Sequence, residues 1–163
     1  MRSSRLFRAG APDAAVLIRL VVGLVFASEG IQKFLFADSQ GAGRFARIGL
    51  PAPELLGPLV GSVEIACGTL LLLGLGTRLA AVPLVFTMLA ALASTKVPIL
   101  LGRGYGIFAH TFAPKAGAWA FLHESRTDLS MLCGAAFLAW VGADRWSLDR
   151  VLSRGQASAD LGA

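Results

Sequence analysis

Residues 19 to 34, RLVVGLVFASEGIQKF, are apolar enough to enter a bilayer, yet they carry Arg19, Glu29, Gln32 and Lys33. At about 100° per residue, Arg19, Gly23, Phe26, Gly30 and Lys33 share one narrow helical face, with Glu29 at its edge one turn from Lys33. Such a face cannot look at lipid. A charge at mid-membrane costs roughly 2.5 to 3.5 kcal/mol on insertion scales, so it turns inward and pairs inside a bundle. The rest of the chain has to supply the partners.

It has the composition to do so. The 163 residues are 55% hydrophobic with a mean hydropathy of +0.67, well above a soluble domain. An all-α fold follows, a four-transmembrane-helix bundle, at about 20 residues per span. The organisation is a basic N-terminal tail (1 to 13), a membrane domain (14 to 150) and a polar C-terminal tail (151 to 163). The segment after the basic start is too long for a signal-peptide core and reads as a retained anchor. The net charge of +5 is topogenic and suits anionic headgroups, so the expected partner is the lipid bilayer, not nucleic acid. Cys67 and Cys133 stand alone without metal-ligand spacing and read as buried small hydrophobes; no metal site is expected.

Helix-period segments run from about Ala14 to Phe36, Leu55 to Leu75 and Leu79 to Leu101, with Pro98 depriving the Ser94 carbonyl of its usual partner. The short turn at Gly76 to Arg78 makes the second and third an antiparallel hairpin. Gly102 to Leu122, rich in aromatic residues including Tyr105, Phe108, Phe112, Trp119 and Phe121, reads as an interfacial loop or lid over the bundle mouth. The fourth apolar run, Leu129 to Val141, is too short to span and has to borrow HESRTD, starting near His123. Seven arginines on one side (Arg2, Arg5, Arg8, Arg78, Arg145, Arg150, Arg154) outnumber the five cations Arg44, Arg47, Arg103, Lys115 and Arg126 on the other. This places both termini in the cytoplasm and the protein in the plasma membrane.

At a rise of about 1.5 Å per residue, Glu29, Lys33, Glu64, Lys96, Glu124 and Asp128 approach one face of the membrane, with His123 and Arg126 at the rim and Arg19 nearer the opposite surface. Gly57, Gly61, Glu64 and Gly68 share a face of the second helix, and small residues allow close helix contact in lipid. Packing this stripe on Gly23 and Gly30 brings Glu64 to Glu29 and Lys33, or to Arg19 if the helices slide; the cation that pairs with it stays open. Two readings follow. The ions fix helix register, or Glu64, Glu29 and Lys33 act in catalysis while Arg19, Lys96, His123, Glu124, Arg126 and Asp128 bind a polar or quinone-like substrate.

The run R-x3-G-x2-F-x3-G-x2-K from Arg19 to Lys33, then IGLPAP, then E-x3-G-x-L-L-L-x-G-x-G-T-R from Glu64 to Arg78, resembles the DoxX family of small four-helix membrane proteins. The closing GADRWSLD (Gly142 to Asp149) is similar to that family's G-x-G-x-x-S-L-D, with Asp144 in place of the second Gly. The resemblance covers about residues 14 to 150. It implies a subunit or accessory of a membrane redox system, quinone-linked or thiol- and sulfur-linked, with Arg19, Lys33 and Glu64 as characteristic charged positions. Quinone is then a candidate substrate, no covalent cofactor is expected, and a redox partner protein or a second copy is a candidate neighbour. Without a cysteine pair, disulfide exchange by the two-thiol route is outside this chain's chemistry. His110 and His123 lack the second feature a haem site needs. Two alternatives stand beside it: a non-catalytic scaffold that anchors a partner, and, less favoured by four helices without an internal repeat, a small-solute transporter.

Overall fold

A computed structural model of the chain describes residues 12–109 and 115–152. The described part is all-α: α1 (Ala15–Leu35), α2 (Ala42–Ile48), α3 (Pro53–Leu73), α4 (Thr77–Ala91), a π-helical turn (Leu92–Lys96), α5 (Val97–Leu101) and α6 (Ala118–Val141). Three stretches are long and apolar enough to cross a membrane: α1, α3, and α4 through α5 taken together. Helix α6 is the fourth long helix, at 24 residues about 36 Å from end to end.

The long helices close a ring, α1 against α3, α3 against α4, α4 against α6, and α6 back to α1. Its centre is Val22 and Phe26 of α1, Leu71 of α3, Ala81 and Leu84 of α4, and Ala135 and Leu138 of α6. Large apolar side chains such as Leu17, Leu24, Leu59 and Phe86 point outward, as a lipid-facing surface requires.

Glycine sets the tightest contact. A Cβ on Gly30 would lie 2.6 Å from the Gly61 carbonyl oxygen, and one on Gly68 2.6 Å from the Ala27 nitrogen. The two small-residue stripes therefore mesh as expected, with one change: Gly57 faces Ala42 at the start of α2, not α1.

Three other expectations are revised. The connection before α3 contains a helix, α2, whose apolar period is hidden by its brevity and its glycines. Trp119 and Phe121 lie in α6, not in a loop, because the helix begins at Ala118 after Gly117 turns the chain at φ 99°. The third span is interrupted at Leu92–Lys96, where Pro98 has no N–H to close a π-type bond to the Ala93 carbonyl. The Tyr105 hydroxyl donates to that carbonyl at 2.6 Å.

Candidate functional site

Among the described residues, two ion pairs have a carboxylate almost wholly buried inside the ring, one near each end. At the end where α1 begins and α6 finishes, Arg19 is 2% exposed and its Nε donates to Asp144 Oδ2 at 2.9 Å. Its Nη1 donates to the carbonyls of Leu71 and Leu72 at 2.7 and 2.8 Å. The segment after α6 that carries Asp144 also carries Asp149, whose carboxylate accepts from the Gly76 and Thr77 amides at 2.8 and 3.2 Å and so caps α4. Gly74, at φ 68°, lets Ser147 pack where a Cβ would intrude at 2.6 Å. The GADRWSLD segment thereby locks the α3–α4 turn. Sequence reasoning offered Arg19 only Glu64, as one of the pairings left open, and passed over Asp144, the residue that departed from the family pattern.

At the opposite end, Lys33 Nζ donates to Glu64 Oε2 at 2.6 Å, and Glu64 is 2% exposed. The pair sits on the wall of a cavity of about 380 Å³ in that half of the bundle. Its apolar walls include Val25, Phe26, Val60, Met88 and Met131; its polar lining adds Glu29, Gln40, Arg44, Ser94, Thr127 and Asp128. Lys96 is 3.3 Å from Asp128, tying the π turn to α6. Helix α2 closes the cavity through Arg44, Phe45 and Ile48, and the Ile48 carbonyl is held by the Ala109 amide at 2.7 Å.

Of the expected cluster, the structure brings together Glu29, Lys33, Glu64 and Asp128, with Lys96 behind Asp128. Glu124, His123 and Arg126 are exposed on α6 and line no part of the cavity; of HESRTD, Ser125 is buried and Thr127 and Asp128 reach the cavity. Arg19 is engaged at the other end. His110 lies outside the described residues. Cys67 packs half-buried beside the core, whereas Cys133 is exposed on α6, a correction to its reading as buried. An apolar residue facing lipid and one facing the core look alike in sequence. Two polar cavity residues that sequence reasoning passed over are Arg44, which belongs to the unrecognised α2, and Gln40, which lies in the turn just before it.

A helical bundle with lipid-facing walls, a glycine-meshed helix pair and a buried ion pair beside an internal cavity defines a polytopic membrane protein with a polar centre. The chain belongs to the DoxX family: the DoxX family model matches residues 14–97. It is 53% identical over 150 residues to the uncharacterised membrane protein Rv3486 of Mycobacterium tuberculosis, covering 92% of this chain and 88% of that protein. It is also 24% identical over 148 residues to CatD of Bacillus subtilis, a protein named provisionally as an oxidoreductase, covering 91% of this chain and 93% of CatD. No solved structure matches the chain.

Proposed function

We propose that this DoxX-family protein is the quinone-handling membrane subunit of a redox system, working at the cavity beside Lys33 and Glu64. The observation that carries the reading is that buried ion pair on the wall of a cavity of about 380 Å³ that combines apolar side chains with further polar and charged ones. A quinone ring fits between Phe26, Val60, Met88 and Met131, and the volume falls in the range of roughly 300 to 1,000 Å³ of small-molecule sites. Lys33 donates a hydrogen bond to a ring oxygen, and Glu64 and Glu29 hand over the two protons that accompany two-electron reduction to the quinol. The electrons come from a partner reductant docked at the cavity end, since the chain has no cysteine pair. The name of CatD points the same way.

In this reading α6 is the fourth span. Trp119 and Trp140, 86% and 85% exposed, are separated by about 31 Å along the helix, the spacing of two interfacial aromatic belts. The described parts of the connection between α5 and α6, residues 102–109 and 115–117, lie at headgroup depth. Both termini face the cytoplasm, as the arginine excess favours, which puts the cavity in the outer leaflet.

The test is purified protein in lipid nanodiscs, assayed for quinone binding and for donor-dependent quinone reduction, with Glu64→Gln beside wild type. The variant is expected to fold, to retain quinone within a few fold, and to lose turnover by about 10²-fold or more. Failure of the wild type to bind any quinone overturns the proposal and leaves the scaffold reading.

A further inference from the structure

The charges lining the cavity divide unequally between partnered and unpartnered groups. Glu64 is taken by Lys33 and Asp128 by Lys96. Two charges remain. Glu29, one turn before Lys33 on α1, makes no ion pair or hydrogen bond among the described residues. Arg44, on the closing helix α2, has a single side-chain partner there, the Gln40 amide oxygen at 3.1 Å. Both face the cavity. With Lys96 included, carboxylates and cations at the site are equal in number, so an incoming anion or cation would unbalance it. Once Glu29 has handed over its proton its carboxylate accepts only, and Arg44 donates only.

We infer that the cavity selects an uncharged ring compound that carries both an acceptor oxygen, which meets Arg44, and an N–H or O–H donor, which meets Glu29. This rests on, and narrows, the quinone reading above. Among redox states it favours the hydroxyl-bearing, reduced ring over the fully oxidised one, because a dione offers Glu29 two lone-pair oxygens and no hydrogen. Arg44 and Glu29 are then specificity residues, distinct from the Lys33–Glu64 pair. Helix α2 supplies one of them, so closure of the cavity and recognition of the ligand belong to the same element.

Two redox-silent comparisons separate this inference from the reading beneath it. An alkyl quinolone carries a carbonyl at one end of its ring and an N–H at the other; the alkyl naphthoquinone with the same tail has carbonyls at both. Binding of each to the full chain in nanodiscs is followed by fluorescence. Wild type is expected to bind the quinolone at least about tenfold more tightly, the worth of a hydrogen bond to a charged group. Glu29→Gln should erase that preference, because the Gln amide N–H donates to the second naphthoquinone carbonyl as readily as its oxygen accepts from the quinolone, and Arg44→Gln should weaken both ligands by about tenfold. N-methylated quinolone should bind wild type no better than the naphthoquinone, a check that needs no variant to fold. Equal affinity of wild type for quinolone and naphthoquinone, or a preference that survives Glu29→Gln or N-methylation, overturns the inference alone. An Arg44→Gln protein that binds both ligands as wild type does overturns the role of Arg44. Absence of binding by every ligand overturns both this inference and the quinone reading.

Discussion

Arg19 and Lys33 lie on one face of one helix and do different work. Arg19 gives four of its five N–H donors to a carboxylate and three carbonyls, so it has little left to offer a ligand. Removing Asp144 leaves a buried guanidinium uncompensated, which costs about 3 to 5 kcal/mol. Asp144→Ala should therefore lower the melting temperature in detergent sharply. Asp144→Asn, which keeps an acceptor, should cost less, and no difference among the three proteins would show that the pair does not hold the fold. Lys33 and Glu64 admit a sharper comparison. Lys33→Met alone strands the buried carboxylate, while Lys33→Met with Glu64→Leu removes both charges and should restore most of the lost stability. If the pair serves only to set helix register, the double variant also binds quinone as wild type does. The proposed function predicts that it folds and binds at least tenfold more weakly.

The helices owe their arrangement to contacts that a single methyl group would disturb. Gly30→Ala drives a Cβ into the Gly61 carbonyl at 2.6 Å, backbone that cannot step aside. Gly134→Ala meets the side chain of Val22 at 2.7 Å, which can turn. Overpacking against backbone is expected to cost about 1 to 3 kcal/mol, so Gly30→Ala should melt well below Gly134→Ala in the same lipid. Equal melting would mean that the α1–α3 contact has room to part. At the other end of the bundle, Asp149 acts as the cap that α4 lacks locally, since Gly76 precedes it and has no side chain. Asp149→Ala should cost about 0.5 to 2 kcal/mol.

Across the described residues, the start of α1 and the segment after α6 meet. Asp13 and Arg145 are 3.1 Å apart, so α1 begins and α6 finishes at the same end of the bundle, with the cavity toward the other. In a background lacking Cys67 and Cys133, Asp13→Cys and Arg145→Cys should be labelled by an impermeant maleimide from one side of sealed vesicles, and Lys115→Cys from the opposite side. Labelling of Arg145→Cys and Lys115→Cys from the same side would show that α6 does not cross. The polar positions and the glycine faces were legible in the sequence because lipid allows buried charge and close helix contact very few arrangements. The starts of α2 and α6 were not, since glycine-rich and aromatic-rich stretches carry no helical period of their own.

By itself, then, the order of residues determined that this is a membrane helix bundle, that α1 and α3 mesh through glycine, and that Glu29, Lys33 and Glu64 turn inward, because each follows from spacing along one helix and the expense of charge in hydrocarbon. Only the tertiary structure decided that Lys33 and not Arg19 pairs with Glu64, that Asp144 answers Arg19 across 125 positions of sequence, and that α2 folds over the cavity to bring Arg44 into it. Those depend on where distant segments come to rest, which no local period encodes.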